Sequence, residues 1–427
     1  MIDLKRLRQD PEGSRASLLR RRDPALGVLL DELLGLDRRR RDMLVRVEAL
    51  KAERNAASEE VARRKRSGEP ADDLMARLKT SGEEVKQLDA GLREVEAELD
   101  RRALSVPNFP LDVLPEGDAS ANRVVRTWGE PPTFAFTPKP HWEIGTALGI
   151  LDLPAGAKIA GSGFPLLRGQ GARLVRALAG FMLDLHTREH GYEEVAPPYL
   201  VNRATANGTG QLPKFEEDLY ALPADDLFLI PTAEVPVTNI HRDEILDDAM
   251  LPKGYVAYTP CFRREAGAHG KDTRGLIRVH QFDKVELVRF ARPGDSPAQH
   301  ELMTGHAETV LQRLGIPYRV VELATGDIGF GSARTYDLEV WAAGVGAWLE
   351  VSSSTTFTDF QARRANIRFR PEPKAKPEFV HTLNASGVAF PRTIVALLEN
   401  NQAADGSVRV PEALVPYLRV DRLVPGA

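Results

Sequence analysis

Two long heptad stripes near the start of the chain constrain its fold more than any other feature. Their members follow one another by three or four residues, as on one face of a supercoiled helix. The first stripe consists of Leu29, Leu33, Leu36, Arg40, Met43, Val47, Leu50, Arg54, Ala57 and Val61. The second consists of Leu74, Leu78, Ser81, Val85, Leu88, Leu92, Val95 and Leu99. Gly and Pro in the segment RSGEPAD (66–72) between them predict a turn. The pattern therefore predicts an antiparallel coiled-coil hairpin over about 28–104, with arms roughly 50 Å long.

Basic residues are concentrated at two places on this predicted arm. One group is Arg38–Arg41, and the other lies next to the turn and comprises Arg63, Arg64, Lys65 and Arg66. Such runs are most often the solvated face of a coiled coil, especially where acidic residues are interspersed as they are here. A basic run near the tip of a protruding hairpin is also suited to a phosphate backbone. Both interpretations stay open on these residues alone.

The helical pattern ends at SVPNFP (105–110), and the rest of the chain mixes short apolar strands with helices. A helix is expected over 171–190, ending at Gly191. Strands follow one another with few crossover helices, which favours an antiparallel sheet and an α+β class. The predicted strands are YVAY (255–258), KVELV (284–288), YRVVELA (318–324), YDLEVW (336–341) and WLEVSSS (348–354). With 427 residues, the chain is expected to form two domains, 1–110 and 111–427.

Composition excludes several classes of protein. A single cysteine, Cys261, excludes an intrachain disulfide and a thiolate-rich zinc site. We expect no zinc and no covalent cofactor. The charged start MIDLKRLRQD has no apolar signal region, and no run of about 18 apolar residues follows. We therefore expect a cytoplasmic protein that makes no membrane contact. The net charge of −4 does not indicate nucleic acid, although it can conceal a local basic surface.

The segment FRREAGAHGKDTRGLIRVHQF (262–282) is unusually charged for a connection between two strands. Its length and cations predict an anionic ligand, because ordinary hairpin loops are short. Arg263 stands at the strand end, where a guanidinium can grip phosphate with two hydrogen bonds. Glycines 267, 270 and 275 permit close approach of the backbone to a ligand. The alternative is a salt-bridged surface loop.

Two glutamates occur in apolar surroundings. Glu234 lies in PTAEVPVTN (231–239) and Glu286 in KVELV (284–288). A carboxylate in an apolar strand needs a partner. A ligand ammonium would provide one, with Thr232 as a neutral hydrogen-bonding neighbour. Pairing with an internal Lys or Arg is an equally open interpretation for either residue.

Two further segments carry chemistry suited to a nucleotide. Glu350, at the end of the predicted strand LEVSSSTT (349–356), precedes hydroxyl side chains, and a carboxylate with hydroxyl oxygens suits Mg²⁺. Arg392 follows the predicted polar turn of HTLNASGVAFPR (381–392) and begins an apolar helical run, where a cation opposes the helix dipole unless an anion binds there. Together these features predict an amino acid and a nucleoside triphosphate as ligands. The chain contains neither a P-loop nor a dinucleotide-binding glycine motif.

Several ordered motifs give the chain a family resemblance over nearly its whole length. The motifs are TAEVPVTN, FRREAG with GKDTRGLIRVHQFDKVELV, TGDIGFGSARTYDLEVW, EVSSSTTFTDFQARRANIR, HTLNASGVAFPRTIVALLENNQ and GTGQLPKFEEDLY. The sequence resembles the bacterial seryl-tRNA synthetases, a family of class II aminoacyl-tRNA synthetases that also begins with a coiled-coil arm. The resemblance implies a catalytic domain with an antiparallel sheet flanked by helices. It also implies a homodimer built around the helix from Gly171 and the strand ending at Pro197–Pro198.

The resemblance implies roles for individual residues. The residues implied for serine binding are Thr232, Ala233, Glu234, Arg263, Glu286, Asn384 and Ser386. The residues implied for ATP binding are Arg263, Arg264, Glu265, Val279, Glu350, Val351, Ser352, Ser353 and Arg392. Of these, Arg263 and Arg392 would be catalytic, while Glu350 and Ser353 would hold Mg²⁺. Several positions depart from the commonest family pattern: Ala385, Phe390, Pro391, the Ser/Thr run after Ser353, Arg264 and His269. These departures affect details of the ATP and serine contacts and do not change the reaction class that the resemblance implies.

The activity implied is ATP-dependent formation of seryl-adenylate followed by transfer of serine to the 3′ end of tRNA(Ser), with selenocysteine tRNA as a further candidate acceptor. The arm would bind the long variable arm of the tRNA through shape and backbone. Two alternatives remain at this point. One is a synthetase-like ligase that loads a carrier protein, and the other is a non-catalytic tRNA-binding paralogue. The first would lack the arm, and the second would lack Arg263, Glu286 or Arg392.

Overall fold

The computed structural model describes residues 1–265 and 274–425. The chain divides into two compact units. One comprises residues 2–19 and 23–107, and the other comprises Met1, residues 20–22 and the chain from Asn108 onward. Gly267, His269 and Gly270 of the predicted ligand loop lie outside the described residues.

The first unit is helical and contains the predicted hairpin. Its helices are α1 (Leu4–Gln9), α2 (Pro11–Leu19), α3 (Ala25–Ser67) and α4 (Asp72–Leu104). Every member of the two heptad stripes is buried or half-buried. The ion pairs Arg40–Glu96, Arg46–Glu84 and Arg102–Glu32 join α3 to α4, and the ascending numbers on one helix meet descending numbers on the other. The antiparallel coiled-coil hairpin is thus confirmed.

The turn of the hairpin depends on a glycine. Gly68 ends α3 with φ +74°, and its N–H donates to the carbonyls of Arg64 and Lys65. A left-handed residue at this position satisfies carbonyls that the helix end leaves without partners, and glycine adopts it without steric penalty. The Gly/Pro segment therefore reverses the chain where the sequence predicts it.

The second unit is built on an eight-stranded sheet in the order β1-β11-β12-β13-β16-β10-β9-β4. Its neighbouring strands are antiparallel except β4 and β9, which are parallel. The strands of the chain are β1 (Arg123–Trp128), β2 (Leu151–Asp152), β3 (Leu166–Leu167), β4 (Glu193–Glu194), β5 (Leu200–Asn202), β6 (Ala221–Leu222), β7 (Leu227–Leu229), β8 (Ile245–Asp247), β9 (Lys253–Phe262), β10 (Gln281–Ala291), β11 (Tyr318–Glu322), β12 (Arg334–Ala342), β13 (Ala347–Thr358), β14 (Arg368–Arg370), β15 (Glu378–Phe379), β16 (His381–Ala389), β17 (Val408–Arg409) and β18 (Arg422–Leu423). Four of the five predicted strand segments fall within strands of this sheet, and the fifth, YRVVELA (318–324), extends two residues beyond β11. The α+β class is thus confirmed.

Helices cover both faces of the sheet. They are α5 (His141–Ala147), α6 (Leu153–Ala160), α7 (Gln170–Arg188), α8 (Arg203–Thr209), α9 (Glu234–Thr238), α10 (Ser296–Arg313), α11 (Phe360–Ala365), α12 (Phe390–Asn400) and α13 (Val415–Leu418). Leu287 of β10 enters the core cluster that contains residues of α7, α10 and α12, whereas Val288 enters a second cluster with residues of α9 and α11. The apolar residues of KVELV are therefore buried on both faces of the sheet, Val285 and Leu287 on one side and Val288 on the other. No described helix is long and apolar enough to cross a membrane.

Three local expectations from the sequence are wrong. HTLNASGVA (381–389) is a strand between β10 and β13 and not a polar turn, because neighbouring strands on both sides pair its backbone. The strand carrying Glu350 continues to Thr358, and its hydroxyls find partners inside, such as Ser352 Oγ, which donates to the Ser386 carbonyl at 2.6 Å. Glu234 begins the short helix α9 and does not lie in a strand.

Candidate active site

A cavity of about 820 Å³ lies on the sheet of the second unit. A smaller cavity of about 90 Å³ adjoins it, since both are lined by Arg263, Glu265, Arg278, Lys284, Glu350 and Ser386. The shared lining comes from the ends of β9, β10, β13 and β16, which are neighbours in the sheet. Residues far apart in the chain therefore converge because the sheet order brings their strands together.

One end of the large cavity is lined by short polar side chains and carboxylates. Thr232, Glu234, Lys284, Asn384 and Ser386 line it. Thr232 Oγ1 accepts a hydrogen bond from the N–H of Glu234 at 3.3 Å, which fixes the first turn of α9. Asn384 Nδ2 donates to Glu234 Oε2 at 3.2 Å and to Glu286 Oε1 at 2.8 Å. A single amide thus links both glutamates that the sequence singled out.

The two glutamates differ in their partners. Glu286 is fully buried and forms an ion pair with Lys284, whose Nζ also donates to Ser386 Oγ at 3.1 Å. The internal-lysine interpretation therefore holds for Glu286. Burial, followed by the Glu286 carboxylate, raises the pKa of Glu234 to about 7. Its carboxyl group can therefore change charge near neutral pH.

The part of the site that continues into the smaller cavity is lined by arginines. The backbone N–H of Arg263 donates to the His280 carbonyl at 2.8 Å. The Arg263 guanidinium lies 5.2 Å from the ring centre of Phe282. Glu265 has φ +51° and pairs with Arg278. Sequence reasoning assigned no role to Arg278. Its place on the returning side of the same charged segment was the signal that could have identified it.

Arg392 reaches this end from the first turn of α12. Its Nε donates to the Ile277 carbonyl at 2.9 Å, and its Nη1 donates to the Glu350 carbonyl at 2.8 Å. Val279 and Val351 line the smaller cavity beside Arg392. The structure thus brings the predicted nucleotide residues from three separate segments to one place.

Oxygen atoms suitable for a hard cation surround Ser353. Its Oγ donates to Asp337 Oδ1 at 2.5 Å and lies 3.4 Å from Glu350 Oε1. Burial and then the charge of Glu350 raise the pKa of Asp337 well above its ordinary value. Carboxylate and hydroxyl oxygens are the ligands that Mg²⁺ takes, usually with waters and substrate phosphates, so this donor set fits it. Asp337, on the neighbouring strand β12, was missed because its position in YDLEVW gives no sign of the pairing. Within the described residues, no group of three or more His, Cys, Asp or Glu side chains could hold a metal by itself.

Four predicted residues lie beside the described linings of the two cavities and not in them. They are Ala233, Arg264, Glu286 and Ser352. The Arg264 guanidinium lies 5.8 Å from the ring centre of Tyr220, and the backbone N–H of Arg264 donates to the Asp218 carbonyl at 3.0 Å. Ser352 and Glu286 act on the lining through Ser386, Lys284 and Asn384.

Comparison with known families agrees with the two-unit organisation. Residues 215–401 match the family described as the tRNA synthetase class II core domain (G, H, P, S and T). Residues 1–110 match the seryl-tRNA synthetase N-terminal domain. The fold and the site therefore define a class II aminoacyl-tRNA synthetase.

Individual relatives narrow this class. The chain is 57% identical to a serine–tRNA ligase of Gemmatimonas aurantiaca over 418 residues and 58% identical to one of Citrifermentans bemidjiense over 419 residues, with 98% of each chain covered in both cases. Its structure is similar to that of the Pyrococcus horikoshii seryl-tRNA synthetase complexed with ATP (TM-score 0.96, 38% identity, 100% of both chains). It is also similar to the cytoplasmic serine–tRNA ligase of Naegleria fowleri in complex with AMP (TM-score 0.88, 28% identity, 98% and 97% covered).

The chain belongs to the seryl-tRNA synthetase family, and its activity is that of a serine–tRNA ligase. The resemblance seen in the sequence motifs is thus confirmed. Neither the carrier-protein ligase nor the non-catalytic paralogue finds support among these relatives.

Proposed function

We propose that serine and ATP bind side by side in the two joined cavities and react there. One observation carries this proposal. At one end the large cavity is lined by the buried Glu234, at the other end the small cavity is lined by Arg392, and Arg263, Arg278 and Lys284 line both cavities. An ammonium suits the first end and a polyphosphate suits the second. The cavities therefore match an amino acid whose carboxylate faces the α-phosphate of a nucleotide.

At the acidic end, Glu234 would receive the serine ammonium, and Thr232 would orient it. Ser386 and Asn384 would present polar groups to the serine hydroxyl, and Glu286 would act on that end through Asn384 and Lys284, with Ala233 beside the lining. An amino acid without that hydroxyl would leave buried polar groups without partners, which is why alanine would be rejected strongly.

At the basic end, Arg263 would bridge the serine carboxylate and the α-phosphate, since it lines both cavities. Glu265, with Arg264 beside it, would contact the nucleotide, and Val279 would pack near the adenine. Arg392 would contact the γ-phosphate. Glu350 and Ser353 would hold Mg²⁺, with Val351 and Ser352 shaping the strand around them. Bound there, Mg²⁺ would neutralise phosphate charge.

The reaction would proceed in two displacements. The serine carboxylate oxygen attacks the α-phosphorus, and pyrophosphate leaves as seryl-adenylate forms. A 3′-terminal hydroxyl of tRNA then attacks the seryl carbonyl, and AMP leaves. No protein nucleophile is needed, because positioning and charge stabilisation by Arg263 and Arg392 supply the catalysis.

The two domains would divide the work, with residues 1–110 binding tRNA and residues 111–427 carrying out the chemistry. In the described part of the chain, no carboxylate pairs with Arg38, Arg39, Lys65 or Arg66, and all four are exposed. Arg40, Arg41, Arg63 and Arg64 instead pair with carboxylates. The unpaired cations are therefore the best candidates for contacts with the tRNA(Ser) backbone. Selenocysteine tRNA would be a second acceptor if its arm has the same shape.

A homodimer in the cytoplasm is part of the same proposal. The implied interface, around α7 and the chain to Pro198, lies near a third cavity of about 370 Å³ lined by apolar residues such as Ile159, Phe164 and Ile394. Ile159 is 75% exposed and adjoins this apolar lining, and contiguous exposed apolar surface of this kind is typical of protein–protein contacts. Sedimentation or light scattering would give twice the chain mass if the proposal holds and the chain mass if it fails.

Serine-dependent exchange of pyrophosphate into ATP tests the chemistry directly. We expect exchange with serine and Mg²⁺, much weaker exchange with alanine, and none without an amino acid. Exchange that is independent of serine would contradict the assignment of the two ends.

A further inference from the structure

Behind Glu234 lies a second layer of buried polar side chains that lines neither cavity. Gln361 of α11 is fully buried, and its Nε2 donates to Glu234 Oε1 at 2.6 Å. Thr382 of β16 is also fully buried, and its Oγ1 donates to Gln361 Oε1 at 2.6 Å. A hydrogen-bond chain thus runs from the sheet through Gln361 to the carboxylate.

The direction of this chain follows from its members. An ionised carboxylate only accepts hydrogen bonds, so the amide must present its nitrogen to Glu234. The amide oxygen then faces Thr382, whose hydroxyl can donate to it. Gln361 Nε2 also donates to the Thr209 carbonyl at 3.3 Å. With both ends engaged, the glutamine amide has little freedom to turn.

Glu234 experiences opposing influences on its charge. Burial and the Glu286 carboxylate raise its pKa, whereas the hydrogen bond from Gln361 opposes them, followed by the charges of Lys284 and Arg263. Gln361 donates to Oε1 and Asn384 to Oε2, so the two amides hold the carboxylate plane from both sides. Asn384, however, divides its amide between Glu234 and Glu286. Among the described carboxylates, Gln361 donates to Glu234 alone.

We propose that Gln361, held by Thr382, is a positioning residue that keeps Glu234 ionised and aimed at the serine ammonium. This inference rests on the proposed role of Glu234 as the ammonium partner. Gln361 does not line the cavities, so it would act only through Glu234. Its loss would weaken serine binding without changing ATP binding.

The test compares Gln361→Met with the wild-type enzyme in serine-dependent pyrophosphate exchange. We expect the KM for serine to rise about 10-fold near pH 7, because a hydrogen bond to a charged group is lost. The KM for ATP should stay unchanged. Without the donor, Glu234 should ionise at a higher pH than in the wild-type enzyme. The excess in the serine KM of the variant should therefore shrink between about pH 7 and pH 8.5.

A matched control separates this effect from general loss of packing. Gln402 is another buried glutamine, and its Nε2 donates to the carbonyls of Lys139 and Glu399. None of these three residues lines either of the two cavities. Gln402→Met should leave the pH dependence of the serine KM at its wild-type position. Thr382→Val removes the donor to Gln361 while keeping the side-chain shape, and should reproduce the shift in smaller form. Thr382→Ser keeps the hydroxyl donor to Gln361 and should restore the wild-type pH dependence. These two variants preserve the test if Gln361→Met does not fold.

Two results would overturn the inference in distinguishable ways. A wild-type pH profile and serine KM in Gln361→Met and Thr382→Val, in an enzyme that activates serine, would refute the positioning role and leave the proposed function intact. A wild-type protein without serine-dependent exchange would contradict the proposed function itself, and the inference with it.

Discussion

Asn384 donates a hydrogen bond from its side-chain amide to Glu286 at 2.8 Å, from the strand next to the one that carries the glutamate. The same nitrogen donates to Glu234, so one neutral group connects two buried carboxylates. Like charges so close disfavour double ionisation unless cations or donors compensate. Lys284 compensates Glu286 inside the protein. Glu234 accepts hydrogen bonds from the neutral amides of Gln361 and Asn384, and the charges of Lys284 and Arg263 only partly offset the effects of burial and Glu286 on its pKa. Under the proposed function it is therefore the candidate carboxylate for an incoming ammonium.

The first prediction concerns the pH dependence of serine binding. Burial and Glu286 raise the pKa of Glu234 to about 7. The ionised form that binds an ammonium is therefore present above that pH and is lost as the pH falls through it. The KM for serine should rise as the pH is lowered from about 8 to 6, with little change in the KM for ATP. Glu234→Gln should raise the serine KM and remove this pH dependence. A pH dependence that persists in Glu234→Gln would assign the titration to another group.

The second prediction concerns Arg263. Arg263→Ala should lower serine-dependent pyrophosphate exchange by at least about 100-fold, because the residue would stabilise charge that develops on the α-phosphate. Arg319→Ala is a control, since Arg319 pairs with Glu339 and stacks on Trp348 away from both cavities. The control should retain nearly normal exchange. Near-normal exchange in Arg263→Ala would rule out its proposed role.

The third prediction concerns stability. Lys284→Met leaves Glu286 buried without its cation and should lower the free energy of unfolding by about 3 kcal/mol or more. Lys253→Met breaks a surface pair with Glu193 and should lower it by less than about 1 kcal/mol. Denaturant unfolding of both variants measures the difference. Equal losses in the free energy of unfolding would mean that Lys284 is not the dominant partner of Glu286.

The fourth prediction concerns the metal. Glu350→Gln keeps the shape of the side chain but removes a charged oxygen ligand, so half-maximal exchange should need about 10-fold more Mg²⁺. Glu339→Gln, a carboxylate on the neighbouring strand that pairs with Arg319, serves as the control. An unchanged Mg²⁺ requirement in Glu350→Gln would remove Glu350 from the proposed metal site. Chelation of Mg²⁺ in the wild-type enzyme should stop exchange.

Periodic features of this molecule were predictable from sequence because local pattern and tertiary structure agree there. The heptad stripes bury the face they predict, and the apolar residues of KVELV are buried because helices cover β10 on both sides. HTLNASGVA is polar and resembles a turn, yet pairing with β10 and β13 makes it a strand. Tertiary hydrogen bonding overrides local preference in such central strands.

Site residues were predictable from sequence where a charged side chain stood out in an apolar segment. They were much less predictable where only a contact with a distant residue defines their role. Glu234 and Arg392 were conspicuous as charges in apolar runs. Gln361 and Asp337 were not, since each becomes meaningful only through a partner more than a dozen residues away, Glu234 and Ser353 respectively. The family resemblance added residues such as Val279 and Ser386 that no periodicity indicated.

The fifth prediction concerns the coiled-coil arm. Deleting residues 30–100 should leave serine-dependent exchange largely intact and abolish charging of tRNA, because adenylate formation would need only the second unit. The full-length double variant Lys65→Glu/Arg66→Glu should weaken charging and make it less sensitive to salt, since fewer tRNA phosphates would be neutralised by the protein. Normal charging by the deletion variant would show that the arm is not the tRNA-binding element.

The most direct test of the whole account is the attachment of labelled serine to an unfractionated bacterial tRNA pool by the purified protein with ATP and Mg²⁺. The account predicts that labelled serine appears only on tRNAs with a long variable arm. Serine-dependent pyrophosphate exchange without any charging would contradict it and favour the loading of a different acceptor. Charging of tRNAs that lack the long arm would contradict the role of the hairpin.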